Sequence, residues 1–217
     1  VPRWDPSSEW DGTDAYVIGG GTSLRHFDWD LIAGKNTIGC NSAYILGAHI
    51  VKIILFADVL WWDKIGKKGT EGFGGRVVGC VPDHRFEHRQ RACPWLLTFP
   101  RSEVCALGRK TLGFFGNTGA MAINLALILG ARRVFLLGFD MMMGPDRQPN
   151  FHNLRYERGN ADSYPRFLRL MAPMPGQLKK VFPGREVWNV TNNSRLDLFP
   201  KATLEEHFAA KLMKEGT

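Results

Sequence analysis

The chain contains no G-x-x-x-x-G-K-[ST] phosphate loop, no internal repeat, no low-complexity tract and only 4 cysteines in 217 residues. The stretch Gly66-Lys67-Lys68-Gly69-Thr70 lacks the phosphate-loop spacing, which argues against that form of ATP chemistry. Four scattered cysteines make no disulfide framework, so a reducing, cytoplasmic setting is expected. The longest apolar stretches, Val51 to Leu60 and Val134 to Phe139, are too short or too interrupted for a membrane-crossing helix. The first residues, Val-Pro-Arg-Trp, carry neither an initiator Met nor a signal-peptide profile, as expected of a trimmed or renumbered start. With 44% hydrophobic residues the chain can bury a core of its own, and a single domain over 1–217 is expected.

What the chain does have is a pair of glycine-punctuated segments. In Ala15-Tyr-Val-Ile-Gly-Gly-Gly-Thr-Ser-Leu24 an apolar run meets three glycines and two hydroxyl residues. Such a turn can aim N–H groups at an anion, so Gly20, Gly21, Thr22 and Ser23 are candidate phosphate ligands. It is not the dinucleotide fingerprint: Leu24 stands at the third-glycine position, and the next predicted strand ends in Asn41 rather than in an acidic ribose ligand. The second segment, Phe115-Gly-Asn-Thr-Gly-Ala-Met-Ala-Ile-Asn124, opens a helix and leads on to Val134-Phe-Leu-Leu-Gly-Phe-Asp140.

Strands are predicted at about Tyr16 to Gly19, Thr37 to Cys40, Lys52 to Ala57, Arg76 to Gly79, Val104 to Leu107, Arg133 to Leu137 and Glu186 to Val190. They alternate with segments of helical character, the pattern of a mostly parallel sheet with helices on both faces. The clearest helix is Thr118 to Leu129, with Asn117 as N-cap and Gly130 as stop. Its apolar residues on nearly every face predict burial. Asp28 to Ala33 and Thr203 to Lys214 are further helices, the latter with Glu205 and Glu206 in its first turn. Residues of about 141–175 have little periodicity before Ala161 and are read as a lid.

In an open α/β sheet, ligands sit beyond the carboxyl ends of the strands. The residues predicted there are Gly19 to Ser23, Asn41 and Ser42, Asp58 with Trp61 and Trp62, Asn117 and Thr118, Gly138 with Asp140, and Thr191 to Ser194. Asn, Ser, Thr and Gly suit a nucleotide. Asn117, Thr118 and Gly119 give a second anion-ready helix start. Asp140 is a candidate catalytic residue that could bind a ribose hydroxyl, a metal or an acceptor, or cap the following turn, but no D-x-D pair accompanies it and no obligatory metal follows. His152, in the lid, is the histidine best placed for general-base work. Arg155, Arg158, Arg166 and Arg169 follow it with donors suited to phosphate, while the apolar residues among them read as a buried helical stripe.

Charge is unevenly spread around the formal net +7. Residues 1–62 hold 4 basic and 7 acidic side chains, whereas residues 111–217 hold 14 and 9. A polyanion such as nucleic acid is one partner that this fits, and an ordinary solvated basic face is the other reading. Cys80, His84, His88 and Cys93 form a C-x3-H-x3-H-x4-C spacing that a tetrahedral zinc ion could use only if the segment were helical, which Pro82 and Pro94 oppose. A basic surface loop is the plainer reading.

The ordered set Val17 to Leu24, Gly39-Cys40-Asn41, Gly116 to Ala120, Leu129-Gly130-Ala131, Leu137 to Asp140 and Asn192-Asn193-Ser194 resembles the bacterial α-2,3-sialyltransferases of the CstII type. It is also similar to the related domain of motility-accessory flagellin glycosyltransferases and archaeal hydroxymethyl-dihydropterin pyrophosphokinases, and the compact layout to phage-encoded proteins. The resemblance spans about residues 15–200 and implies a single Rossmann-like domain with a lid. It further implies a metal-independent donor pocket for a CMP- or UDP-sugar, with Gly20 to Ser23, Asn41, Thr118, Gly119, Asn193 and Ser194 on the nucleotide. The sialyltransferases have Asn where this chain has Gly20, and their catalytic lid histidine does not align securely with His152. The implied activity is glycosyl transfer to a hydroxyl, a hydroxymethylated base of phage DNA being one acceptor that the basic balance suits. Diphosphate transfer from ATP and a non-catalytic nucleotide- or nucleic-acid-binding module are the alternatives.

Overall fold

The computed structural model describes residues 4, 6, 8–80, 93–145, 147–154 and 163–208. Seven strands form one parallel sheet: β1 (Asp14–Ile18), β2 (Asn36–Cys40), β3 (Ile53–Phe56), β4 (Arg76–Gly79), β5 (Leu96–Thr98), β8 (Arg133–Leu137) and β9 (Glu186–Asn189). The short β6 (Arg101–Ser102) and β7 (Leu112–Gly113) pair separately, also in parallel. In space the large sheet runs β5-β4-β3-β2-β1-β8-β9. The chain winds outward from β1 to one edge, returns to the middle at β8 and winds to the other. This is a Rossmann-like α/β fold, and the strand order reverses between β1 and β8.

Both faces of the sheet are covered, so the strands read as continuous apolar runs. Ala15 and Val17 of β1 enter one core, and Tyr16 and Ile18 enter the other. The first core is filled by α2 (Thr118–Ile128), with α3 (Ser163–Met171) and α4 (Met174–Val181) over it. Ala120 to Leu127 are all buried, as their uniform apolarity predicts, and Asn117 Oδ1 caps the helix by accepting from Ala120 N at 2.8 Å. The second core packs against α1, residues 59–69, which is α-helical at both ends with a π turn over Trp62–Gly66. Residues 204–208 form a helical turn begun by a reciprocal cap: Glu206 N donates to Thr203 Oγ1 and Thr203 N to Glu206 Oε2. Residues 209–214 of that expected helix lie outside the described residues.

Several expectations need correction. The connections after β1 and β2 hold 3-10 turns, Thr22–Leu24, Trp29–Ile32 and Asn41–Leu46, in place of α-helices. Val104 to Leu107 is a loop. Val104 O accepts from Ala106 N and Phe114 N, while Leu107 N donates to Gln177 Oε1, so these backbone groups bond away from the sheet. The edge strand is β5 instead, three residues between Pro94 and Pro100, where an edge tolerates flanking prolines. Within residues 141–175, expected to form a lid, α3 and the start of α4 are helical.

Asn124 is a buried polar side chain that α2 presents to this loop. Its Oδ1 accepts from Gly108 N and Gly113 N, and its Nδ2 donates to Gly108 O. Gln177 of α4 clamps the same loop through Leu107 N and Cys105 O. Replacing Asn124 with Ala strands two buried N–H donors and a carbonyl, so urea unfolding should show a loss of about 2–4 kcal/mol, against less than 1 for Lys110→Ala on the exposed part of the loop.

Candidate active site

The reversal between β1 and β8 opens a crevice at their carboxyl ends, and two turns meet across it. Gly19 N donates to Leu137 O at 2.8 Å and Gly21 N to Gly138 O at 2.9 Å. No side chain fits this approach: a Cβ on Gly19 would stand 2.6 Å from Gly138 O, and one on Gly21 2.0 Å from Asp140 Oδ1. Gly138 has a φ of +69° and abuts Leu24. Three glycines of the pair are therefore required by the protein's own chain.

Asp140 is 5% exposed. Its carboxylate accepts from Ser23 N at 2.9 Å, Ser23 Oγ at 2.6 Å and Thr22 Oγ1 at 3.3 Å. Thr22, Ser23 and Asp140, expected from sequence to face a ligand independently, here face one another. A carboxylate with its donors supplied is a clamp on the glycine-rich turn.

Gly20 meets residues 150 and 151. Phe151 N donates to Gly20 O at 2.9 Å, and a Cβ on Gly20 would stand 2.6 Å from Asn150 Oδ1. A carboxamide thus reaches this turn from residue 150. The same contact carries His152 to the crevice, at the end of a row of ring contacts from Phe27 to Trp29 (4.8 Å), Phe151 (5.8 Å) and His152 (5.1 Å). His152 Nδ1 is buried and has no hydrogen-bond partner among the described residues. Burial lowers the imidazole pKa below its ordinary 6.5, and nearby backbone groups of Leu154 and His152 oppose this more weakly.

The start of α2 forms the other wall. Thr118 Oγ1 meets Asn41 Oδ1 at 3.5 Å, with Asn41 in the left-handed region at φ 51°. Gly116, at φ +73°, packs beneath Leu170 and Arg166 of α3: a Cβ there would lie 3.5 Å from an Arg166 guanidinium nitrogen. Gly119 abuts the Phe139 ring. Asn41, Asn117, Thr118, Gly119 and Arg166 are thereby gathered around a helix N-terminus, where the peptide dipoles add about half a positive charge.

Other candidates have structural partners. Ser194 is buried; its Oγ donates to Phe139 O at 2.5 Å and accepts from Asn189 Nδ2 and Leu196 N, tying the end of β9 to the end of β8. Asn193 is exposed beside it, at φ 56°. Asp58 caps α1 by accepting from Leu60 N and Trp61 N. Trp61 and Trp62, expected on the acceptor side, are 1% and 0% exposed; Trp61 Nε1 donates to Ser42 Oγ and Trp62 stacks on Phe56 at 4.8 Å. They are core side chains, and no ring face of theirs is offered to an acceptor.

The zinc spacing does not hold together. Cys80 follows the carboxyl end of β4 in the first core, whereas Cys93 precedes the amino end of β5 in the second core, on the opposite face. The two thiols cannot share one ion. His84, His88, Arg155 and Arg158 lie outside the described residues. Among the described residues no three His, Cys, Asp or Glu side chains converge to hold a metal ion, and no helix is long and apolar enough to cross a membrane.

Asn150 and Tyr164 carry no motif and escape a sequence reading. Tyr164 Oη points to Met143 Sδ at 3.7 Å, and burial together with the Asp140 carboxylate raises its phenol pKa.

No family model and no curated protein matches the chain. Among solved structures it is similar to a tyrosine-to-phenylalanine variant of the sialyltransferase CST-II in complex with CMP, at 11% identity and TM-score 0.48, over 87% of this chain and 85% of that one. It also matches a putative exported protein from Burkholderia pseudomallei at 12% identity and TM-score 0.25, over 94% and 93%.

Gly21→Ala tests the clamp. The added methyl displaces the Asp140 carboxylate, and thermal unfolding should fall by several degrees with any nucleotide-induced shift abolished, whereas Gly176→Ala, which meets nothing within 4 Å, should leave both unchanged.

Proposed function

We propose that the protein is a nucleotide-sugar-dependent glycosyltransferase acting on a hydroxyl acceptor. The observation that carries this reading is the hydrogen bond from Phe151 N to Gly20 O, which sets His152, a partly buried imidazole, one residue from the glycine-rich turn where the strand order reverses. A lowered pKa leaves the ring neutral at pH 7, so it can take a proton from an acceptor hydroxyl.

The opposite wall supports the other half of the reaction. As the glycosyl–phosphate bond breaks, negative charge grows on the departing nucleotide phosphate. The N–H groups at the start of α2, beside the Asn117 cap, and the Arg166 guanidinium are proposed to stabilise that charge. Asn41, Thr118 and Asn193 are proposed as ligands of the nucleoside, for which CMP or UDP is the proposed carrier. Asp140 has a positioning role, through Ser23. Arg155 and Arg158 are proposed as further phosphate ligands on the lid. A hydroxymethylated DNA base is one acceptor in keeping with the compact phage-type layout; Trp61 and Trp62 give it no platform.

A thermal-shift panel of CMP-, UDP- and GDP-sugars and ATP, each with and without Mg²⁺, tests the donor. A shift with a CMP- or UDP-sugar that survives chelator is expected, and a shift confined to ATP with Mg²⁺ would overturn the reading in favour of diphosphate transfer. His152→Ala should cut turnover by about 10²–10⁴ while the nucleotide shift persists. In the wild type, kcat should rise with pH through a value below 6.5 and be level at pH 7, because the base is lost only once the imidazole is protonated.

A further inference from the structure

The two sides of the sheet differ in charge. From residue 104 to residue 182 the only acidic side chain among the described residues is Asp140, which is buried and engaged with Ser23 and Thr22. Over the same span Arg109, Lys110, Arg166, Arg169, Lys179 and Lys180 are all exposed. Their backbones belong to three segments packed side by side over the first core. Arg166 and Arg169 lie on α3, Lys179 and Lys180 on α4, and Arg109 and Lys110 on the loop that Asn124 and Gln177 anchor.

The arrangement is built. On α4, Met174 and Leu178 are buried at i and i+4, which turns Lys179 and Lys180 outward. On α3, Met171 is buried while Arg166 and Arg169, at i and i+3, share the exposed side. The Arg109 guanidinium sits 5.3 Å from the Phe182 ring centroid and is held there by a cation–π contact, joining the loop to the end of α4. Arg166 closes the row beside Gly116 and the start of α2. Among the described residues of these three segments the exposed cations stand without exposed acids, which raises the local potential and attracts a polyanion.

We infer that this face binds the phosphodiester backbone of a nucleic acid, along a row that leads to the candidate active site. A bilayer is the less fitting occupant: α3 and α4 present no exposed large apolar side chain, and those of the described chain are Leu31, Ile45, Leu60, Val104 and Leu154. Each of the two helices is about 12–14 Å long, several phosphate spacings of a strand. The inference stands on the charge of the face and does not require the transferase reading.

Fluorescence anisotropy of a labelled single-stranded 20-mer, from 50 to 200 mM NaCl, tests it on the full chain. Binding through four to six of these cations should give a log–log salt slope of about −3 to −4. Lys179→Ala with Lys180→Ala should flatten that slope by about 1.4 and weaken strands of every sequence alike. Lys67→Ala with Lys68→Ala removes the same charge from α1, on the opposite face, and should leave the slope unchanged. All four lysines are exposed, so cooperative thermal unfolding of each double variant serves as the check on folding. Equal losses in the two double variants would reduce the effect to net charge and overturn the inference. So would absence of binding at 50 mM salt, or preference for phosphatidylserine vesicles or heparin over the strand at matched charge.

Discussion

Among the described residues the carboxylate of Asp140 takes its hydrogen bonds from the glycine-rich turn alone, and that pairing fixes the turn against the end of β8. Three features converge to allow it. Gly19 and Gly21 let the turn touch the backbone of Gly138, the apolar run of β8 delivers Asp140 to a dry position, and Asp140 O in turn accepts from Arg195 N. The ends of β1, β8 and β9 are joined through one side chain and its peptide. Residues 150 and 151 then meet the clamped turn at Gly20, so the place of His152 follows from a contact it does not itself make.

Most of the sheet could be read from sequence because a strand buried on both faces leaves an unbroken apolar run, as Val134 to Leu137 does. The buried helix and its cap were equally plain, since a short polar side chain such as Asn117 directly before an apolar stretch suits the N-cap position above any other. Legibility failed where a residue type serves two ends. Val104 to Leu107 has strand composition, yet Gln177, 70 positions away, takes the donor that a ladder would need. Trp61 and Trp62 follow a strand end, where ligands gather, but the π turn in α1 rolls both rings inward onto Phe56. At the site, the gathered positions were visible as a set and their pairing was not. That Ser23 answers to Asp140, and Gly20 to Asn150, is long-range information that no local pattern carries.

Left-handed backbone marks the same rim. Asn41, Met141 and Asn193, at φ 51°, 53° and 56°, follow β2, β8 and β9. Asparagine adopts this region at little cost, but methionine lacks the short polar group that helps, and strain of about 1 kcal/mol or more is stored just after Asp140. Thiol chemistry is not part of the rim. Burial pushes the Cys40 thiol, at the end of β2, up to about 12, which leaves it inert beside Asn41.

The Ser23–Asp140 hydrogen bond spans 117 positions of the chain, and the Arg133–Asp14 ion pair 119. Everything from β1 to β5 can find its sheet neighbours in order, each strand beside the one before it. The crevice has no such route, because it opens between β1 and β8 and exists only once β8 lies beside the first strand. Closing so large a loop costs little more in equilibrium terms than closing one half its size, yet it slows the search. Until β8 docks, the edge of β1 is open and the chain holds a sheet without a site.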